Sequence, residues 1–217
     1  MIKHFVRAVW VPFVLAALLP FAAQAQSASE QDAEELASTL RNYQSYQANF
    51  IQIVVGDDGG RVQESRGSLK AKRPGLFYWE TRQPHSQFIV SNGETVEVYD
   101  PDLEQVTIHN LDEQIQTTPA LLLSGEVGNL NETYKVSGNH KGEHTKEFKL
   151  EPRDADSLFV SLRLTFYKGE LQEMRMEDSL SQISVLSFDD IQLNKAIEDS
   201  AFSLDYPDTV DVIRDGA

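Results

Sequence analysis

The chain contains no cysteine among its 217 residues. It therefore has no disulfide, no cysteine nucleophile and no cysteine that could carry an N-terminal lipid. A G-x-S-x-G nucleophile motif and a G-x-x-x-x-G-K-[ST] phosphate-binding loop are also absent. These absences argue against a lipid hydrolase and against nucleotide-driven chemistry, so we expect no cofactor and no enzymatic activity.

Basic residues are scarce as well, with 19 lysines and arginines against 34 aspartates and glutamates and a formal net charge of −15. An acidic chain is repelled by the phosphates of nucleic acids and by anionic membrane surfaces. A net charge far from zero favours a soluble monomer. We therefore expect no nucleic-acid partner and a single copy of the chain in solution.

Long apolar runs are limited to the N-terminus, which has the pattern of a secretory signal. Lys3 and Arg7 precede the apolar run "VLAALLPFAA", and "AQA" at 23–25 fits an A-x-A cleavage site. The run is too short to span a bilayer. We predict a cleaved signal peptide over residues 1–25 and a single domain over residues 26–217, with 17 basic against 34 acidic side chains and a charge of −17.

The remaining pattern predicts a mainly β (α+β) fold. After Gln26, an amphipathic helix capped by Ser27 or Ser29 is expected, because apolar residues recur there on one helical stripe: Ala33, Leu36, Ala37, Leu40 and Tyr43. Most of the following chain alternates with period two, which is typical of antiparallel strands. Turn signals at 57–60, 91–94 and 167–171 separate these strands.

One short helical segment interrupts the strands. The stretch "TTPALLLSG" at 117–125 places Pro119 at the first helical position and Gly125 as a stop. Almost all of its side chains are apolar. It is therefore expected to lie over an apolar surface, either as an ordinary buried helix or as a cover that moves.

The stretch "LKAKRPGLFYWE" at 69–80 places an arginine beside apolar residues. On a strand, Leu69, Ala71 and Arg73 share one face, and Phe77 and Trp79 share a face of the next strand. A guanidinium on an apolar face must find acceptors or reach water. Backbone carbonyls at the end of a short helix are suitable acceptors. The alternative is an edge arginine that extends to solvent over its own stem.

Several segments in this order resemble the outer-membrane lipoprotein carrier family, LolA: "YQANFIQ", "GSLKAKRPGLFYWE", "QPHSQFIVSNGETVEVYDPDLEQVT", "TPALLL" and "FSLDYPDTVDVI". The resemblance implies an unclosed antiparallel β half-barrel whose apolar concave face is covered by a helical lid. It implies a location in the periplasm. It also implies three partners, which are triacylated lipoproteins as cargo, an inner-membrane lipoprotein-releasing ABC transporter, and an outer-membrane acceptor of the LolB type.

The resemblance also implies roles for individual residues. Arg73 is similar in role to a latch, whose lid partners would lie near Leu40, Leu123 and Ser124, with Leu121 and Leu122 in the same lid. The expected lining of the lipid cavity consists of Phe50, Leu69, Ala71, Phe77, Trp79, Met174 and Met176. For the two methionines, filling the core and lining the cavity remain equally open.

Two features are open to other interpretations. The segment "HKGEH" at 140–144 matches a zinc-protease pattern that requires a helix, but Gly142 and the preceding "VSGN" predict a polar hairpin instead, so we expect no metal site. A periplasmic domain that senses lipids or lipoproteins on the same fold is the main functional alternative. The single-domain length argues against it, because no output domain follows.

Overall fold

The computed structural model describes residues 21–56, 59–111, 119–125 and 130–214, with side chains from residue 28 onward. Most of the predicted signal peptide, residues 1–20, lies outside this description, as does part of the turn predicted at 57–60. None of the helices in these ranges has both the length and the apolar character needed to cross a membrane.

A single sheet of twelve strands forms most of the described structure. The strands are β1 (Ser45–Val55), β2 (Arg61–Lys72), β3 (Leu76–Gln83), β4 (Gln87–Asn92), β5 (Thr95–Asp100), β6 (Gln105–Asn110), β7 (Tyr134–His140), β8 (Thr145–Pro152), β9 (Phe159–Tyr167), β10 (Glu170–Asp178), β11 (Ile183–Leu193) and β12 (Asp211–Arg214). Their spatial order is β12-β6-β5-β4-β3-β2-β1-β11-β10-β9-β8-β7. The sheet is unclosed, since β12 and β7 are its two edges, and the predicted mainly β architecture is confirmed.

Tight turns produce most of the antiparallel pairing. At the β4–β5 turn, the side-chain oxygen of Asn92 accepts hydrogen bonds from the amides of Glu94 and Thr95, each at 2.9 Å, and Gly93 has a φ of 98°. The β9–β10 turn likewise contains Gly169 with a φ of 81°. Both turns were predicted from sequence, and they set the register that decides which side chains face the concave side.

The C-terminal part of the chain was not predicted in this detail. A 3₁₀ helix at Asp199–Phe202 contacts β3 and β4, and β12 then pairs in parallel with β6. Lys72 binds the chain at 197–199, because its Nζ donates hydrogen bonds to the Ile197 carbonyl at 2.7 Å and to the Asp199 carboxylate at 2.6 Å. The segment therefore lies against the side of the sheet opposite to the concave face.

Helix α1 (Phe21–Arg41) covers the β7 edge of the sheet. The predicted cap at Ser27 or Ser29 is wrong, because the helix already includes the residues from Phe21 onward that precede both serines. The Ser29 hydroxyl instead accepts a hydrogen bond from the Val136 amide at 3.1 Å. The Asp32 carboxylate accepts one from the Gly138 amide at 2.8 Å. Edge amides of β7 are thereby satisfied by helix side chains.

The predicted apolar stripe is confirmed for its four residues within this helix, which are all buried, and Tyr43 is buried just beyond the end of the helix at Arg41. A second helix, α2 (Leu130–Thr133), was not predicted and contacts both α1 and β7. The predicted helix in "TTPALLLSG" is a 3₁₀ helix at Pro119–Leu123, and Ala120 to Leu123 are buried against the inner face of the sheet. We call residues 119–125 the covering segment.

Beneath this cover, the inner side chains of β1, β2 and β3 pack tightly. The Phe50 ring stacks on the Trp79 ring with their centroids 3.9 Å apart. A Cβ at Gly67 would lie 2.6 Å from the Phe50 ring and 1.9 Å from the Glu80 carbonyl oxygen. Only glycine therefore allows the Phe50 ring and strand β3 to approach this closely.

Candidate functional site

Arg73 lies in the short connection between β2 and β3 and joins three parts of the chain. Its Nε donates to the Tyr43 carbonyl at 3.1 Å, its Nη2 donates to the Leu122 carbonyl at 3.4 Å, and its Nη1 donates to the Gly125 carbonyl. The guanidinium thus links the chain just after α1 to the covering segment. Three of its N–H groups bind protein carbonyls, so the side chain turns inward and does not extend to solvent.

These acceptors lie close to the expected positions in the chain, although none of them is one of the three residues named. The expected partners were residues near Leu40, Leu123 and Ser124, whereas the carbonyls in contact belong to Tyr43, Leu122 and Gly125. The Leu40 carbonyl accepts from the backbone amide of Tyr43, and the Ser124 carbonyl accepts from the amide of Gly75. Ser124 also donates its hydroxyl to the Leu121 carbonyl at 3.1 Å, which closes the end of the 3₁₀ helix.

The positive charge of Arg73 is stabilised by the dipoles of backbone carbonyl groups. No carboxylate forms a salt bridge with it in the described ranges. Its partial burial lowers the pKa of the guanidinium, and the nearby Arg41 lowers it further. Arginine remains protonated even so, because its ordinary pKa is above 12. Charge-assisted hydrogen bonds to three carbonyls therefore offset the desolvation of the guanidinium, and the two to Leu122 and Gly125 would be lost if the covering segment moved away.

Backbone hydrogen bonds reinforce the same connection, which we call the arginine corner (residues 73–75). The Arg73 amide donates to the Gln44 carbonyl at 3.0 Å, and the Gly75 amide donates to the Ser124 carbonyl at 2.7 Å. Gly75 has a φ of 74°, and a Cβ there would lie 2.5 Å from the Cα of Gly93. Glycine at 75 is therefore needed for the corner to pack on the β4–β5 turn while it holds the covering segment.

A cavity of about 640 Å³ lies between the concave face of the sheet and the start of the covering segment. Pro119 and Ala120 contribute to its wall. Most of the other apolar wall comes from strands β3, β4, β9, β10 and β11, through Trp79, Ile89, Leu162, Met174, Met176 and Leu186. The rim includes the exposed residues His85, Asp102 and Leu103, with the His85 ring 3.3 Å from the Asp102 carboxylate.

The structure divides the predicted lining residues into two groups. Trp79, Met174 and Met176 line the cavity. The other four are fully packed in the adjoining core and do not face the cavity: Phe50, Leu69, Ala71 and Phe77. Among the predicted cover residues, Leu40, Leu121, Leu122, Leu123 and Ser124 are all buried beneath or within the cover. Met174 belongs to both the core and the cavity wall, so the two interpretations of the methionines are not exclusive.

On strands β1, β2, β3 and β11, five polar side chains of the cavity wall were not anticipated, namely Gln52, Gln63, Ser65, Thr81 and Ser184. The signal for them was available in the sequence, because inner faces continue with period two along a strand. Gln52 lies two residues beyond the buried Phe50 on β1, and Ser184 lies two residues before the buried Leu186 on β11.

Tyr43 and Tyr46 fix the end of α1 to the β9–β10 hairpin. The Tyr43 hydroxyl donates to the Gly169 carbonyl and accepts from the Leu171 amide at 3.1 Å, while the Tyr46 hydroxyl donates to the Leu171 carbonyl at 2.8 Å. Burial raises the pKa of both phenols well above the ordinary value of 10.0. Tyr43 therefore connects the hairpin to the carbonyl that Arg73 uses.

Because the pKa values of Tyr43 and Tyr46 are raised, we expect the folded protein to lose stability at alkaline pH. Below about pH 10 both states keep the phenols protonated, so this contribution is constant. Above about pH 10 the phenols ionise in the unfolded chain but not in the folded one, and the free energy of unfolding falls by about 1.4 kcal/mol per pH unit for each tyrosine. Denaturant unfolding between pH 8 and pH 11.5 measures this slope. Tyr43→Phe should make it shallower, and an unchanged slope in that variant would contradict the assignment.

The segment "HKGEH" lies in the β7–β8 hairpin. His140 ends β7, Gly142 has a φ of 97° in the turn, and His144 immediately precedes β8 with its ring against Tyr167. The two histidines therefore do not share the face of a helix, which the zinc-protease pattern requires. The predicted hairpin is confirmed.

Comparisons with known proteins place these features in a family. The model of the family described as outer membrane lipoprotein carrier protein LolA matches residues 41–205. The outer-membrane lipoprotein carrier protein of Pseudomonas putida (strain GB-1) is 43% identical over 188 residues, which cover 87% of this chain and 90% of that protein. Its counterpart in Chromohalobacter salexigens is 44% identical over 198 residues, which cover 91% and 92% of the two chains.

A solved structure shares the fold. The crystal structure of a LolA superfamily protein from Nitrosomonas europaea superimposes with a TM-score of 0.52, covering 82% of this chain and 98% of that one. The sequence identity is 15%, so this similarity concerns the architecture alone.

Proposed function

The chain belongs to the LolA family of outer-membrane lipoprotein carrier proteins, and from this premise we propose that it carries acylated lipoproteins through the periplasm with their acyl chains in the covered cavity. The observation that carries the proposal is a cavity with an apolar wall around Met174, whose covering segment is hydrogen-bonded to Arg73 and Gly75. The fold and the family alone would not identify this cavity as the binding site for the acyl chains.

The physical need for such a cavity follows from the cost of exposing hydrocarbon to water. Each buried methylene is worth about 0.8 kcal/mol, so three acyl chains with about 45 methylenes represent roughly 30 kcal/mol. Unassisted passage through water is therefore negligible. A carrier must provide an apolar shelter and must also give the chains up, which favours a shelter that closes again after release.

The cavity as described is smaller than this cargo. If a methylene takes about as much room as a water molecule in the liquid, about 30 Å³, the 640 Å³ cavity holds about 20 methylenes. This is less than half of what three acyl chains need. In this proposal the described structure is the closed form, and loading displaces part of the cover.

The hydrogen bonds support the covering segment as the part that moves. It is held to the arginine corner by Arg73, through the carbonyls of Leu122 and Gly125, and by the amide of Gly75. Helix α1 has independent attachments to the sheet, since Glu35 pairs with Lys146 and Asp32 binds an edge amide of β7. In the loaded form, the acyl chains displace the covering segment and break its bonds to the corner, while α1 stays in place.

The remaining parts of the proposal concern processing, location and partners. The signal peptide at 1–25 is removed, and residues 26–217 act as a single carrier domain in the periplasm. The domain is a monomer that catalyses no reaction. It accepts triacylated lipoproteins from an inner-membrane lipoprotein-releasing ABC transporter and gives them to an outer-membrane acceptor of the LolB type. Because the sequence has no phosphate-binding loop, the energy for loading comes from the transporter.

The proposal is tested by incubating residues 26–217 with membranes that contain the transporter, a triacylated lipoprotein and ATP. We expect the lipoprotein to appear in the soluble fraction as an equimolar complex with the carrier, and to stay in the membrane when ATP or the carrier is omitted. A sensing domain would leave the lipoprotein in the membrane, and an enzyme would alter it chemically. Either result would overturn the proposed function.

A further inference from the structure

Along strands β1 and β11, the residues of the inner face change from apolar to polar. On β1 the inner face passes from Phe50 to Gln52, and on β11 it passes from Leu186 to Ser184. Gln52 lies opposite both Ser65 of β2 and Leu186 of β11 in the strand register. Five polar residues lie side by side on four neighbouring strands: Ser184 on β11, Gln52 on β1, Gln63 and Ser65 on β2, and Thr81 on β3. We call these five residues the polar band.

The members of the polar band use only part of their hydrogen-bonding capacity within the protein. Gln52 donates from Nε2 to the Ser184 hydroxyl at 2.7 Å, and Gln63 donates from Nε2 to the Ser65 hydroxyl at 3.2 Å. A glutamine amide has two donor hydrogens and two acceptor positions, and a hydroxyl has one donor hydrogen and two. Donor capacity therefore remains on both amides and on both hydroxyls.

A ligand made only of hydrocarbon would be a poor match for this wall. Polar groups covered by hydrocarbon lose their hydrogen bonds with water and receive nothing in return, which is unfavourable. The band lies between the apolar wall around Met174 and the exposed rim that carries His85, since Thr81 precedes the β3–β4 turn. A bound molecule therefore meets apolar surface at one end and hydrogen-bond donors where it approaches the rim.

We propose that Gln52, Gln63, Ser65, Thr81 and Ser184 form a subsite for the carbonyl oxygens of the ester and amide links that join acyl chains to a protein. The inference rests on the proposed function and assigns a chemical preference to the same cavity. Ester and amide carbonyls accept hydrogen bonds, and the band supplies amide and hydroxyl donors at the depth where those links would lie. The carrier thereby distinguishes an acylated protein from plain hydrocarbon.

The first test varies the ligand and leaves the protein unchanged. The affinity of residues 26–217 for a synthetic triacylated lipopeptide is compared with that for an analogue whose two ester links are replaced by ethers. The analogue keeps its hydrocarbon but lacks two carbonyls. The loss of two hydrogen-bond acceptors is expected to weaken binding of the ether analogue about tenfold, or by about 1.4 kcal/mol in total. Equal affinities would overturn the subsite.

The second test varies the protein. Gln52→Met combined with Gln63→Met removes the amides at similar side-chain length, and both the lipopeptide and the hydrocarbon probe diphenylhexatriene are titrated. The double variant should bind the lipopeptide about tenfold more weakly and diphenylhexatriene at least as tightly as before. Retained probe binding shows that the cavity is intact. Unchanged lipopeptide binding, or an equal loss for both ligands, would overturn the subsite.

A matched control is available at Gln105. Its Nε2 donates to the Thr107 hydroxyl at 3.1 Å, which resembles the bonds of the band, but neither residue lines the cavity. Gln105→Met should leave both affinities unchanged, and a tenfold loss of lipopeptide binding in this variant would overturn the assignment to the band. If the unaltered protein failed to bind the lipopeptide at all, the proposed function itself would fail.

Discussion

Replacing Arg73 with leucine is expected to leave the chain folded but to shift it from the closed toward the open form. The substitution removes three hydrogen bonds, two of which hold the covering segment, while the loss of a partly buried charge offsets some of the cost. We expect the ratio of closed to open form to fall by about 10- to 100-fold, or about 1.4 to 2.8 kcal/mol. Binding of diphenylhexatriene should strengthen, and transfer of bound lipoprotein to the outer-membrane acceptor should slow.

Arg82→Leu is the matched control for this prediction. Arg82 is exposed at the end of β3 and donates to the Ser68 hydroxyl at 2.6 Å and the Glu80 carboxylate at 3.1 Å, away from the cover. Its removal should change neither probe binding nor transfer. Delivery at the unaltered rate by the Arg73→Leu protein, with unaltered probe binding, would contradict the role of Arg73 in closing the cavity.

Phe77→Ala is expected to destabilise the fold strongly, by about 3–5 kcal/mol, because a fully buried ring in a packed core is removed. Met176 also faces inward, but it is only partly buried and borders the cavity, so Met176→Ala should cost less than half as much. Denaturant unfolding of the two variants measures the difference. The comparison separates residues that hold the structure together from residues that face the ligand.

The opposite pattern would place Phe77 on the cavity wall. If Phe77→Ala cost less than about 1 kcal/mol and mainly altered diphenylhexatriene binding, the ring would have to face open space in the folded protein. Its centroid lies 6.5 Å from that of Trp79, which does line the cavity, so the boundary between core and cavity passes between these two neighbouring rings.

The faces of the strands could be predicted from sequence, because side chains alternate strictly along a strand. The burial of Leu69 and Ala71 beside Arg73, and of Phe77 and Trp79 on the next strand, follows from this rule. Which of these inner positions meet open space could not be predicted. That division depends on where the covering segment lies, and its contacts are made by residues far apart in the chain.

The elements that escaped prediction share a physical cause. All four residues of β12 are exposed, so no alternation of apolar and polar side chains marks the strand, and its pairing with β6 is set by the path of the preceding chain. Ser29 has the residue type of a helix cap, but its hydroxyl instead binds the Val136 amide of the edge strand. In both cases a partner distant in sequence decides the local structure.

Hydrogen exchange at the Gly75 amide tests most directly whether the covering segment leaves the arginine corner when the cavity is filled. In the closed form this amide donates to the Ser124 carbonyl at 2.7 Å, whereas the Val136 and Gly138 amides donate to side chains of α1. On loading with triacylated lipopeptide, we predict faster exchange at Gly75 and unchanged exchange at Val136 and Gly138. Equal protection of the Gly75 amide in the empty and loaded protein would contradict the displacement of the covering segment.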